Sequence, residues 1–106
     1  MISITYKHTD GAYRLELNGH AGQAQGGRDV VCAGASVLMY ALAESLEWHR
    51  DECLRLDISL EKGEGSIYVL PDTIYAAEAR GAFDTAIAGY MHLANAYPKY
   101  IRFTSV

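Results

Sequence analysis

The chain predicts an α+β fold, a two-layer sandwich in ββαββαβ order with a mainly antiparallel sheet and two helices, as a single domain over residues 1–106. Three observations carry this: two separate pairs of segments with period-two alternation, a helical segment after each pair, and a short last segment of strand character. Alternation marks strands with one buried face, so the helices should cover one face of the sheet.

In the first pair, Ile2, Ile4 and Tyr6 alternate with polar neighbours, as do Tyr13, Leu15 and Leu17. Asp10-Gly11 between them tolerates the positive φ of a tight hairpin turn. Leu54, Leu56, Ile58 and Leu60 repeat the pattern, Lys62-Gly63-Glu64-Gly65 turns the chain, and Ile67 and Val69 resume it. Residues 30–48 read as the first helix. Its almost uniformly apolar first half is expected beneath other structure, and its charged end, at Glu44, Glu47 and Arg50, in solvent. In 76–97, Ala79, Ala82, Phe83, Ala86, Ile87, Tyr90, Met91 and Ala94 follow the three-and-four spacing of one helix face. Pro98 disfavours helical geometry at Tyr97 and ends that helix. Residues 100–104 form the last strand.

A chain of 106 residues can bury about two thirds of its unfolded surface, enough for one modest core. With 50% apolar and 21% charged residues and two prolines, the disordered and collagenous classes are excluded. A net charge of −4 and no basic run argue against phosphate-driven binding, so no direct nucleic-acid partner is expected. Two cysteines are too few for a disulfide scaffold, and the alternating start is unlike a signal peptide, so a cytoplasmic location is expected. The longest run without a charged side chain, Val30 to Ala43, is shorter than the roughly 20 residues of a membrane span, so no membrane association is expected.

The chemistry concentrates in residues 19–36. Gly19, Gly22, Gly26 and Gly27, four of the ten glycines, lie between a strand end and a helix start. That loop reads either as a flexible turn or as a mobile loop over a site. A phosphate cradle lacks its signature, since there is neither a GK[ST] end nor GxGxxG spacing. Asp29 is a favourable N-cap residue, which would put Cys32 in the first helical turn, where the dipole favours an anion and would lower a thiol pKa. The carboxylate of Asp29 opposes this, so a positive partner has to outweigh it. His20, twelve residues before Cys32, is the available candidate, and an imidazolium beside a thiolate is the pairing of cysteine proteases. From composition alone the two also read as a small buried residue and a loop histidine. Ser36, one turn beyond Cys32, either lines the site or bonds a preceding carbonyl. Cys53 reads as a buried hydrophobe, and His8, His49 and His92 as structural or solvated. No histidine pair has metal-ligand spacing, so neither metal nor cofactor is expected.

The run Gly19-His20-Ala21-Gly22, then Gly27, Asp29-Val30-Val31-Cys32-Ala33 and Ser36, with Tyr97-Pro98-Lys99-Tyr100-Ile101 near the C-terminus, resembles the ribosomal-processing cysteine protease family Prp over essentially the whole chain. The resemblance implies a small α/β fold, homodimers, and an endopeptidase that removes the N-terminal extension of large-subunit ribosomal protein 27 during ribosome assembly. By motif position Cys32 is the nucleophile and His20 the base. Gly19, Asp29 and Ser36 fall at further motif positions, with Asp29 either cap or orienter of His20. Gly34 departs from the family pattern, where alanine is more usual, and would allow a close helix contact. The alternative reading is a non-catalytic ribosome-associated binding module in which Cys32 only packs. A homodimer would cover the apolar first half of the first helix, and the eight tyrosines would serve core, interface or a substrate groove.

Overall fold

Strand β1 (Ile2–Thr9) turns at Asp10-Gly11 into β2 (Ala12–Asn18), helix α1 (Gly27–Glu47) follows, and a short 3-10 turn (Arg50–Glu52) leads to β3 (Cys53–Glu61). Strand β4 (Glu64–Pro71), helix α2 (Ala76–Ala96) and strand β5 (Ile101–Ser105) complete the predicted order. The structure is a computed structural model that describes residues 1–19 and 27–106, with the backbone alone for 27–29.

The five strands form one sheet in the order β3-β4-β2-β1-β5. Three of the four pairings are antiparallel, and β5 lies parallel to β1. The first hairpin closes on Asp10 (φ 54°) and Gly11 (φ 82°), two positive values that match the twist of the flanking strands. Ile2, Ile4, Tyr13, Leu15, Leu17, Leu56, Ile67, Val69 and Ile101 are buried on one face of the sheet. Against them pack Val31, Ala35, Met39, Leu42 and Leu46 of α1, and Ala79, Phe83, Ala86 and Tyr90 of α2. The other face is polar and open. There Tyr68 stands between the guanidinium groups of Arg14 and Arg55, at 4.8 and 4.9 Å from its ring centre.

The helices lie side by side on the covered face. Phe83 of α2 stacks on Tyr13 at 4.9 Å and α2 also contacts β5, while α1 sets Met39 over Gly65 of β4 and touches β3. Glycines let them approach: a Cβ on Gly34 would meet Leu93 at 3.3 Å, which bears out the close contact expected there, and one on Gly89 would meet Leu38 at 2.7 Å. The buried Tyr90 hydroxyl donates to the Ala35 carbonyl at 2.8 Å and ties α2 to α1.

Four expectations need correction. Helix α1 runs from Gly27, three residues before the predicted start, so Gly27, expected in the loop, belongs to the helix. Asp29 is then the third helical residue and no longer the cap, and Cys32 falls in the second turn, where the dipole acts more weakly. The burial of α1 follows a stripe along its whole length: Val30, Val37 and Tyr40 of the first half are exposed, while Leu42, Ala43 and Leu46 of the second are buried. Uniform apolarity in a sequence hides which face turns inward. Leu54 and Met91 are exposed too, the former beside a register shift between Cys53 and Arg55.

The apolar character of α1 also has a membrane reading. Among the described residues α1 alone is long and apolar enough to cross a membrane, with a mean hydropathy of 1.4 over Val30–Glu47. The same values suit the inner helix of a one-sided sheet, and its buried stripe sits in the core described above.

Candidate active site

Cys32, Ser36 and Tyr40 recur every four residues and form one row along α1. That row occupies the flank turned away from α2, since Gly34 and Leu38 on the opposite flank meet α2. Opposite the row stands the end of the second hairpin. Together they enclose an open cavity of about 380 Å³, lined by Cys32, Ala35, Ser36, Met39 and Tyr40 of α1, Ile2 of β1, Leu17 and Gly19 at the end of β2, and residues 60–65. Its floor is apolar, and Glu61, Lys62 and Glu64 provide charge at the hairpin end.

Gly19 fixes this corner. Its φ of +97° lies where side chains are disfavoured, and a Cβ there would collide with the Met1 carbonyl oxygen. Its N–H donates to the Gly63 carbonyl at 2.9 Å, binding the end of β2 to the turn that walls the cavity. Gly19 immediately precedes His20, so the chain leaves this corner at the predicted base.

The structure therefore brings together Cys32, Ser36 and Gly19. His20, Gly22 and Gly26 lie outside the described residues, as does the side chain of Asp29. Cys32 is a half-buried free thiol, and Ser36 is exposed to the cavity. The first described amides of α1 belong to residues 27–30. Tyr40, Met39 and the 60–65 hairpin were not foreseen as site residues. Tyr40 carried a usable signal, eight residues beyond Cys32 and so on the same face. The hairpin carried none, because its arrival depends on strand order.

The remaining candidates have other occupations. Cys53 is a second free, half-buried thiol whose Sγ donates to the His49 carbonyl at 3.3 Å. Burial pushes its pKa up, against a smaller opposing pull from Arg50. His49 bonds Glu52 at 2.7 Å and stacks on Tyr75 at 4.4 Å, His8 stacks on Tyr13 at 4.0 Å, and His92 is exposed on α2. Among the described residues no cluster of three or more His, Cys, Asp or Glu side chains has the geometry to hold a metal.

A thiol beside an apolar cleft open to solvent supplies two parts of a nucleophilic peptide hydrolase, an attacking group and a place for the substrate. Residues 1–102 match a family model of cysteine peptidases, and the protein is a cysteine protease. It belongs to the family described as Cysteine protease Prp. Among solved structures it is similar to SMU.848 from Streptococcus mutans, with 28% identity and a TM-score of 0.73 over 100% of this chain and 94% of that one. It is also similar to the essential ribosomal processing protease Prp from S. aureus in complex with a substrate peptide, with 23% identity and a TM-score of 0.77 over the whole of both chains. The S. aureus protein with a covalently linked product peptide gives 23% and 0.74 over the same coverage. At that identity the two S. aureus structures bear on the fold alone. A search of curated proteins finds no match.

Proposed function

We propose that this protein is an endopeptidase that removes an N-terminal extension from large-subunit ribosomal protein 27 in the cytoplasm during ribosome assembly. Cys32 is the nucleophile and His20 the base. The observation that carries the reading is that Cys32, and not Cys53, lines the cavity of a chain that belongs to a cysteine protease family. The ribosomal substrate is supported by membership of the family described as Cysteine protease Prp, the name also carried by the ribosomal processing protease of S. aureus.

In this reading His20 holds the thiol proton, and the Cys32 thiolate attacks the scissile carbonyl carbon to form a C–S bond. The tetrahedral oxyanion draws on backbone amides at the start of α1. As the C–N bond breaks, His20 passes its proton to the leaving amine, which departs with the mature protein. Water, deprotonated by His20, then hydrolyses the thioester and frees the thiol. This chemistry calls for neither metal nor cofactor. Asp29, within the first turn of α1, is left as a candidate to orient His20, and Asp29→Asn tests it by removing the charge while keeping the shape.

Incubation with a peptide spanning the extension junction, read by mass spectrometry, tests the whole assignment. One defined cut, lost in Cys32→Ala and in His20→Ala, is expected; an uncut peptide contradicts it. The protein is further proposed to form a homodimer. The exposed apolar residues Val30 and Val37 on α1 and Trp48 just after it, with Val37 63% and Trp48 74% exposed, support this. Sedimentation velocity should give twice the 11.6 kDa chain mass.

A further inference from the structure

We propose that the substrate binds as an added strand on the outer edge of β3, its extended backbone pairing with residues 57–61 as it passes Cys32. The proposal rests on the peptidase reading above and adds how the substrate is held.

Among the described residues strand β3 ends the sheet, with β4 as its one strand neighbour. Past the register shift at Cys53/Arg55 its ladder with β4 is regular through Glu61, so its outward N–H and C=O groups alternate. The Leu56 carbonyl accepts from Arg50 Nη1 at 3.1 Å, which leaves 57–61 as the stretch for a further strand. The row Cys32, Ser36 and Tyr40 lies on the flank of α1 remote from α2, and α2 covers the β5 side of the sheet. That flank therefore faces the β3 side, and Leu60 and Glu61 at the end of β3 line the cavity that holds Cys32.

The side chains agree. Ile58 points to the helix side, as its partner Ile67 does, and Leu60 packs over its partner Gly65 beside Met39, yet Ile58 and Leu60 are only half-buried while Ile67 is fully buried. A sixth strand would cover the part of them left open. Its own side chains would point alternately toward the cavity floor at Met39 and toward the open face. An edge of this kind invites pairing, and here it ends at the nucleophile. The other edge, β5, lies at the far side of the sheet and lines no part of this cavity.

The test uses the junction peptide and a series of its variants, each N-methylated at one backbone nitrogen, assayed for kcat/KM with the wild-type protein. Pairing predicts a period of two: losses of about tenfold at alternate positions, and changes under about threefold at those between. In parallel, hydrogen exchange of the Cys32→Ala protein should show slower exchange at alternate amides of 57–61 on adding the parent peptide, with β5 unchanged. Losses confined to the scissile bond, or β3 amides unmoved while the peptide binds, would overturn the proposal. So would β3 amides already protected in the free protein in a concentration-dependent way, which would assign the edge to a second copy. A parent peptide left whole by the wild-type protein would instead remove the ribosomal substrate reading, and the pairing with it.

Discussion

Gly19 shows how one residue can hold a site together. It needs a positive φ, leaves no space for a side chain beside the Met1 carbonyl, and bonds the Gly63 turn. Gly19→Ala should therefore lower stability by about 1–3 kcal/mol. On a domain of this size that is a fall in Tm of roughly 5–15 °C, measurable by calorimetry. The need for glycine there was legible only as a motif position, because the carbonyl it avoids comes from the other end of the first hairpin. Cys32 was singled out by its motif position, and the structure places it at the cavity. Its turn within α1 was misjudged, since Asp29 is as acceptable inside the first turn as at the cap, and the amides it satisfies depend on where the helix starts.

Among the elements, α1 and α2 meet through two glycines that should respond differently to alanine. At Gly34 the added Cβ meets the end of Leu93 at 3.3 Å, and Leu93 is half-buried and free to yield by a few tenths of an ångström. Gly34→Ala should keep most of the helix-propensity gain and stabilise by about 0.5 kcal/mol. At Gly89 the Cβ would sit 2.7 and 2.8 Å from the two terminal carbons of Leu38, which forces movement, so Gly89→Ala should destabilise by about 1 kcal/mol or more. Urea denaturation of the two variants checks both signs. Element types and order were legible because alternation and the three-and-four spacing are strong local signals. The parallel placement of β5 beside β1 and the exposure of Leu54 were not, since one depends on pairing across the whole chain and the other on a shift in ladder register.

For the molecule as a whole, the core ties stability to alkaline pH through its tyrosines. Burial raises the pKa of Tyr90 strongly, and is the first cause of the rise at Tyr6 and Tyr75. A phenol whose folded pKa lies above its unfolded value of about 10 binds its proton more tightly when folded, so its stabilisation is complete below pH ~10 and is lost as pH rises beyond. Tm should hold below pH ~10 and fall above it, with a shallower fall in Tyr90→Phe; a flat profile would contradict the burial. The central claim, that Cys32 carries the reaction, is tested most directly by rapid acid quench of the protein with the junction peptide, followed by mapping of the covalent adduct. The account predicts the N-terminal fragment as a thioester on Cys32 and neither adduct nor cut in Cys32→Ala. An adduct on Cys53, or cleavage that persists without Cys32, would contradict it.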